Sequence, residues 1–263
     1  MKQHPAMNKE PFDLERYEKV TPRVTLTWRG KPISFYVPTT FVLWRATSFE
    51  TKEPDTVAWL SSFKPEEIYF DIGANVGMYA IAAAAAMDVS VYAFEPEAAN
   101  YAILTRNIYD NRLCGKMRAY CIALSDETTL GDFFIANHEQ GSSGHMFGED
   151  LDFNLQLKKS DLIQGSVSFK LDELIQKNML PVPNHIKIDV DGLEHKILDG
   201  AAETIENENV KSVLVELNTN LEIHRSIISR MGNIGFALDQ EQVDASTIKE
   251  GWNAGLGNHI FRR

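Results

Sequence analysis

The chain has few cysteines: two in 263 residues, Cys114 and Cys121. That number excludes a disulfide framework, and nothing around them has the spacing of a zinc site. Cys121 falls in a run that reads as a strand, so it is expected to be a small buried hydrophobe. Positive charge is also short, with 26 Lys and Arg against 37 Asp and Glu and a net charge of −11. A field of that sign argues against non-specific binding to nucleic acid or to an anionic membrane, although it leaves room for a local basic patch. Long apolar runs are missing; the longest, Met78–Met87, falls far short of a membrane span. The first twenty residues are polar and lack the apolar core of a signal peptide. The expected compartment is therefore the cytoplasm. The dinucleotide fingerprint G-x-G-x-x-G is absent too, which argues against a nicotinamide-dependent oxidoreductase.

What is present centres on Ile68–Gly77, IYFDIGANVG. Ile68, Tyr69 and Phe70 read as a buried strand that Asp71 ends. Gly73 and Gly77 frame a tight turn, and Val76–Met87, apolar and alanine-rich, reads as a helix packed on the sheet. Strand, glycine turn and helix form the nucleoside-side turn of an open α/β sheet. A second strand, Val89–Phe94, ends at Glu95-Pro96, where a carboxylate can accept both hydroxyls of a ribose. The spacing is Asp71-x-Gly73-x-x-x-Gly77, with Ala74 and Asn75 inside. It resembles motif I of the class I S-adenosylmethionine (SAM) methyltransferases, whose turn wraps the amino-acid end of a cofactor without phosphate.

The rest of the chain reads as one large α/β domain with an appendage. Met1–Lys19 is a polar arm. Val24–Trp28 and Ile33–Val37 flank Arg29-Gly30-Lys31-Pro32 as a hairpin. Phe41–Phe49 shows no clear pattern, and Pro54 opens a helix that runs to Phe63. Residues 1–66 thus form an arm and cap, which either covers the acceptor site or only protects the sheet edge. Residues 67–263 form the main domain. In it, Glu97–Tyr109 has helical spacing, Met117–Leu124 reads as the third strand and Leu130–Ala136 as a further one. Asn137–Asp150 is a flexible polar loop, serving either the substrate or nothing beyond the surface. Val167–Leu171, His185–Val190, Val210–Leu217 and Gly235–Leu238 read as strands, and Asn258–Arg263 as a final antiparallel strand.

Several blocks together make the chain resemble the FkbM family of SAM-dependent methyltransferases. They are Lys52-Glu53-Pro54, Asp71–Gly77, Phe94-Glu95-Pro96, Ala123-Leu124-Ser125-Asp126, Ser142-Ser143, Leu171-Asp172-Glu173-Leu174 and Ile186–Glu194. Asp191 stands where the family usually has Glu. The resemblance implies a Rossmann-like class I methyltransferase fold, with a mostly parallel seven-stranded sheet, helices on both faces and a last antiparallel strand. It implies SAM as cofactor and O-methylation of a sugar, a lipid-linked glycan or a polyketide-type product. The alternative is an inactive SAM-binding or interaction module.

The cofactor set that follows is Asp71, Gly73, Ala74, Asn75, Gly77, Glu95, Pro96, Ala123, Leu124 and Asp189. Asp71 would anchor the ammonium, Glu95 the ribose, and Ala123 and Leu124 would border the adenine. A hydroxyl acceptor needs a base or a metal. Asp189, Asp191, Glu194 and His195 follow the fourth strand and are the catalytic candidates. Asp189 and Asp191 alternate on an extended strand end and would point the same way. The same acids are also ordinary helix-start residues. Asp189, Asp191, Glu216 and Asn218 offer an all-oxygen Mg²⁺ set, yet the expectation is that no metal is needed.

Overall fold

The computed structural model describes residues 15–16, 20, 22–160 and 162–263. Apart from Glu15 and Arg16, the expected arm Met1–Lys19 lies outside them. The chain begins with the hairpin β1 (Arg23–Trp28) and β2 (Lys31–Tyr36), then α1 (Thr40–Thr47), α2 (Phe49–Lys52) and α3 (Pro54–Leu60). The alternating part runs β3 (Ile68–Ile72), α4 (Met78–Ala86), β4 (Ser90–Phe94), α5 (Ala98–Asp110) and β5 (Met117–Tyr120). Next come β6 (Ala123–Leu124), β7 (Thr129–Ile135), β8 (Met146–Phe147), β9 (Leu162–Phe169) and α6 (Leu171–Gln176). The last part is β10 (His185–Ile188), α7 (Glu194–Gly200), α8 (Ala202–Glu206), β11 (Ser212–Asn218), α9 (Glu222–Asn233), β12 (Ala237–Leu238), α10 (Gln240–Ser246) and β13 (Leu256–Arg262).

The seven-stranded sheet has the order β12-β13-β11-β10-β3-β4-β5. β11, β10, β3, β4 and β5 are parallel, and β13 enters antiparallel beside β11. The order reverses between β3 and β10, which opens a crevice at their carboxyl ends. Strand alternation sorts the two faces. Phe70, Ile72, Ile186, Ile188, Val213 and Val215 face one core, with Ile197 and Ile205 of α7 and α8 and Ile227 of α9. Tyr69 and Leu214 face the other, with the alanines of α4 and the cap residues Trp28, Phe35, Trp59 and Phe63. The same alternation puts Asp71 and Lys187, register neighbours on β3 and β10, on the capped face.

The cap is fastened at both ends of α3. Trp59 Nε1 donates to Ser212 Oγ at 2.7 Å, and Asn258 Nδ2 donates to Thr56 Oγ1 at 3.1 Å. Gln242 Nε2 reaches Asp55 at 3.0 Å. No helix among the described residues is long and apolar enough to cross a membrane.

Two sequence expectations change. Phe41–Phe49 is mostly the helix α1, whose start is capped by Thr39 Oγ1 accepting from Val42 N at 3.2 Å. The third strand, read as Met117–Leu124, divides. β5 stops at Tyr120, and Ala123–Leu124 leave the large sheet to pair parallel with β9, in a second sheet ordered β6-β9-β7-β8. Cys121 lies at the break. It is exposed rather than buried, because the chain there belongs to neither sheet.

Gly200 ends α7 against the exit of β6. A Cβ there would sit 2.0 Å from the Ser125 carbonyl oxygen, whereas one at Gly232 would meet nothing within 4 Å. Gly200→Ala is expected to cost ~1–3 kcal/mol through overpacking of backbone on backbone. Gly232→Ala should be neutral or slightly stabilising. Urea midpoints at unchanged slope measure both.

Candidate active site

After Ile72 the chain turns through Gly73 (φ +83°) and Asn75 (φ +51°) to Gly77 (φ +86°), which starts α4. At Gly73 a Cβ would lie 1.9 Å from the Asp189 carbonyl oxygen, so only glycine fits between the two strand ends. The amides of Gly73 and Ala74 both donate to the Phe94 carbonyl at 3.0 Å. The Glu95 carboxylate is buried and accepts from Asn75 N at 2.7 Å and from Glu97 N at 2.8 Å. Burial pushes its pKa up to about 8 despite those two donors. Asp71 is buried, and its Oδ1 has no hydrogen-bond partner. Burial raises its pKa to about 6, with Lys187 pulling the other way.

A cavity of about 1160 Å³ runs along these strand ends. Single small-molecule pockets fall at ~300–1,000 Å³, so two ligands can share this one. Gly73, Asn75, Glu95, Pro96, Ala123 and Leu124 line one part, and Asp189, Asp191 and Glu216 line another. Asp71 and Ala74 line a small adjoining crevice. Gly77 lines neither; it fits the start of α4 against Leu104.

The four acceptor-side candidates separate two and two. Lys187 Nζ donates to Asp189 Oδ2 at 2.5 Å. Burial opposes the Asp189 charge, but Lys187 and Lys52 outweigh it and lower the pKa. Asp191 Oδ2 accepts from Gly144 N at 2.7 Å, and burial followed by the Asp189 charge raises its pKa. Glu216 on β11 is raised well above the usual range, by burial first and then by Asp189. These three offer carboxylate oxygens all within 4.8 Å of one another. β10 ends at Ile188 and Asp191 is left-handed at φ +63°, so the carboxylates meet through a turn and not through strand alternation.

Glu194 points elsewhere. Its Oε1 accepts from Val190 N and Gly192 N, both at 3.1 Å, and fastens the turn from within. His224 Nε2 lies 3.5 Å from the other oxygen but makes its hydrogen bond with the Gly192 carbonyl at 3.0 Å. His195 is half-buried, 6.0 Å from the His224 ring, and does not line the cavity. Sequence reading had placed Glu216 only in a metal set. Its signal was a lone acid on an apolar strand, VKSVLVEL. Three clustered carboxylates can hold a divalent cation. Asn218, the fourth member of that set, spends its amide on Phe153 O, Asn154 and Asn220 N.

The loop 141–145 is buried at Ser142 and His145 and tied on several sides. Asn75 Nδ2 donates to Ser142 O at 2.7 Å, Gly141 N donates to Asn100 at 2.7 Å, and Arg45 Nε donates to Gly141 O. With the Gly144–Asp191 bond, this loop joins the glycine turn, the cap and the acid turn. It is neither a loose surface loop nor a free polar segment.

This strand order, with a glycine turn after β3, a buried acid after β4 and an antiparallel strand between β11 and β12, defines a class I methyltransferase fold. The chain belongs to the FkbM methyltransferase family: the Methyltransferase FkbM domain matches residues 71–238. Among characterised relatives, the hexuronic acid methyltransferase AglP of Haloferax volcanii is 24% identical over 196 residues, 73% of each chain. The 31-O-demethyl-FK506 methyltransferase FkbM of Streptomyces tacrolimicus is 26% identical, over 68% of this chain and 76% of that one. A crystal structure of methyltransferase FkbM from Methylobacillus flagellatus KT aligns with a TM-score of 0.47 and 14% identity. That alignment covers 76% of this chain and 44% of the other, so the chain spans under half the length of that protein.

Glu194 gives a pH test. Burial pushes its pKa up to about 8 from 4.5. Below the unfolded value both states are protonated. Between the two values only the folded state keeps the proton, so stability falls as pH rises through that window. Each such group contributes a slope of up to ~1.4 kcal/mol per pH unit. Glu194→Gln keeps the acceptor for Val190 and Gly192 and removes the titration. Thermal unfolding of the ligand-free variant should be flatter than wild type between those pH values.

Proposed function

We propose that this protein is a SAM-dependent O-methyltransferase that acts on a hydroxyl of a sugar, glycan, lipid-linked saccharide or polyketide-like small molecule. The observation that carries the reading is one cavity with two chemically different parts, a glycine turn with buried acids and a cluster of carboxylates, parted by Gly73 and Asp189. When bound, SAM supplies a methyl group activated on a sulfonium. Glu95 accepts the ribose hydroxyls, Ala123 and Leu124 border the adenine, and Asp71, whose Oδ1 lacks a partner, faces the ammonium. Residues 67–263 form the SAM-binding domain in this reading, and residues 1–66 its arm and cap.

Asp191 is the group we assign to the acceptor proton. Its raised pKa makes it a better base than Asp189, which Lys187 holds ionised. Asp191 would accept the hydroxyl proton as the acceptor oxygen takes the methyl group that bound SAM would supply. Glu216 offers a carboxylate oxygen within 4.8 Å of one on Asp191. Lys187 and Lys52 already place positive charge beside the cluster, so the reaction needs no metal. The relatives named for a hexuronic acid and for 31-O-demethyl-FK506 support a hydroxyl acceptor. Trp44 and Trp252 line the cavity and stay exposed, offering flat faces for the C–H side of a sugar ring.

Calorimetry should show SAM bound more weakly by ~1.5–3 kcal/mol in Glu95→Ala, the scale of lost charge-assisted hydrogen bonds. Unchanged affinity would remove the ribose assignment. Asp191→Asn should hold SAM as wild type does and lose ~10²–10⁴ in turnover, read as S-adenosylhomocysteine release with a sugar acceptor. His195→Ala should keep both, and EDTA should leave turnover within a few-fold. If Asp191→Asn turns over normally, or EDTA abolishes activity until Mg²⁺ is returned, the base is misassigned.

A further inference from the structure

The small crevice beside the cavity holds unmatched charge of both signs. Arg45, Lys52, Asp71, Lys187 and Asp189 line it. Two of its cations are matched: Lys187 by Asp189 at 2.5 Å and Lys52 by Glu53 at 2.5 Å. Arg45 is not. It is buried, with its guanidinium carbon 5.3 Å from the Phe41 ring centroid. Its Nε donates to the Gly141 carbonyl, and Nη1 and Nη2 have no hydrogen-bond partner among the described residues. On the acidic side, Asp71 Oδ1 is buried and equally without a partner. Open donors on Arg45 and a buried, open acceptor on Asp71 in one crevice complement a ligand that carries both a carboxylate and an ammonium. That combination is the α-amino-acid group.

We propose that Arg45, delivered by the N-terminal cap, binds the α-carboxylate of the cofactor's methionyl end. The inference rests on the SAM reading above and extends the cofactor site beyond residues 71–238 into the cap. Its chemistry is a planar fork of N–H donors on a carboxylate, in a place where burial keeps the pair from solvent. Lys52, exposed on the next helix and paired with Glu53, adds positive field.

The test is calorimetry with S-adenosylhomocysteine and with its decarboxylated analogue, S-adenosyl-3-thiopropylamine, which lacks only the carboxylate. Wild type should prefer S-adenosylhomocysteine by ~10–100-fold, the scale of charge-assisted hydrogen bonds. Arg45→Gln should lose that factor for S-adenosylhomocysteine and bind the analogue unchanged. Arg45→Lys, which keeps the charge and loses the fork, should retain part of the preference. Equal affinity of wild type for the two ligands overturns the proposal without any variant. Arg45→Gln overturns it by keeping the preference, or by losing both ligands equally, which would mark a structural role through Gly141. Wild type that binds neither ligand refutes the cofactor reading itself, and this inference with it.

Discussion

The site depends on one backbone contact. β3 and β10 are adjacent parallel strands whose chains separate at their carboxyl ends, and Gly73 leaves β3 directly against the Asp189 carbonyl. Asp189 N in turn donates to Ile72 O at 3.1 Å. The glycine turn and the turn that carries the acids are therefore two sides of one wall. Neither can shift without the other, and in the proposed reaction their alignment is set by backbone, with no flexible side chain between.

A second constraint is electrostatic. The chain is acidic throughout, yet Arg45, Lys52 and Lys187 all gather at the crevice beside this wall. Strand alternation puts Lys187 next to Asp71 on the face that the cap covers, so the cap seals a charged layer as well as an apolar one. Asp189, hydrogen-bonded by Lys187, has its pKa lowered, whereas at Asp191 and Glu216 burial and the neighbouring Asp189 charge outweigh the lysines and raise it. One neighbourhood thus holds both a fixed charge and a proton acceptor.

The sheet, the glycine turn and Glu95 were legible because each is written locally: an apolar run, a glycine spacing, an acid at a strand end. Glu194 and His195 were not, because adjacency in sequence to Asp191 says nothing once the backbone turns left-handed there and sends successive side chains apart. Asn137–Asp150 reads from the sequence as a polar loop, serving either the substrate or only the surface. The sequence does not place the ties of its 141–145 segment to Asn75, Asn100, Arg45 and Asp191, which lie far away along the chain. Cys121 failed for a related reason: a strand-like run was shared between two sheets, and the residue at the join has neither as its environment. Arg45 sat in a stretch without a pattern, and only the cap's docking gives it a direction.

That docking also sets an order on folding. α3 precedes its anchors Ser212, Gln242 and Asn258 by 153 to 202 residues. Trp59 and Phe63 pack on Tyr69 of β3 and His185 of β10, but without those later anchors α3 lacks the hydrogen bonds that fasten it. Such long-range closure is slow, and it leaves apolar surface open to aggregation in the interval. The cap is therefore fully fastened only once β11, α10 and β13 have joined it.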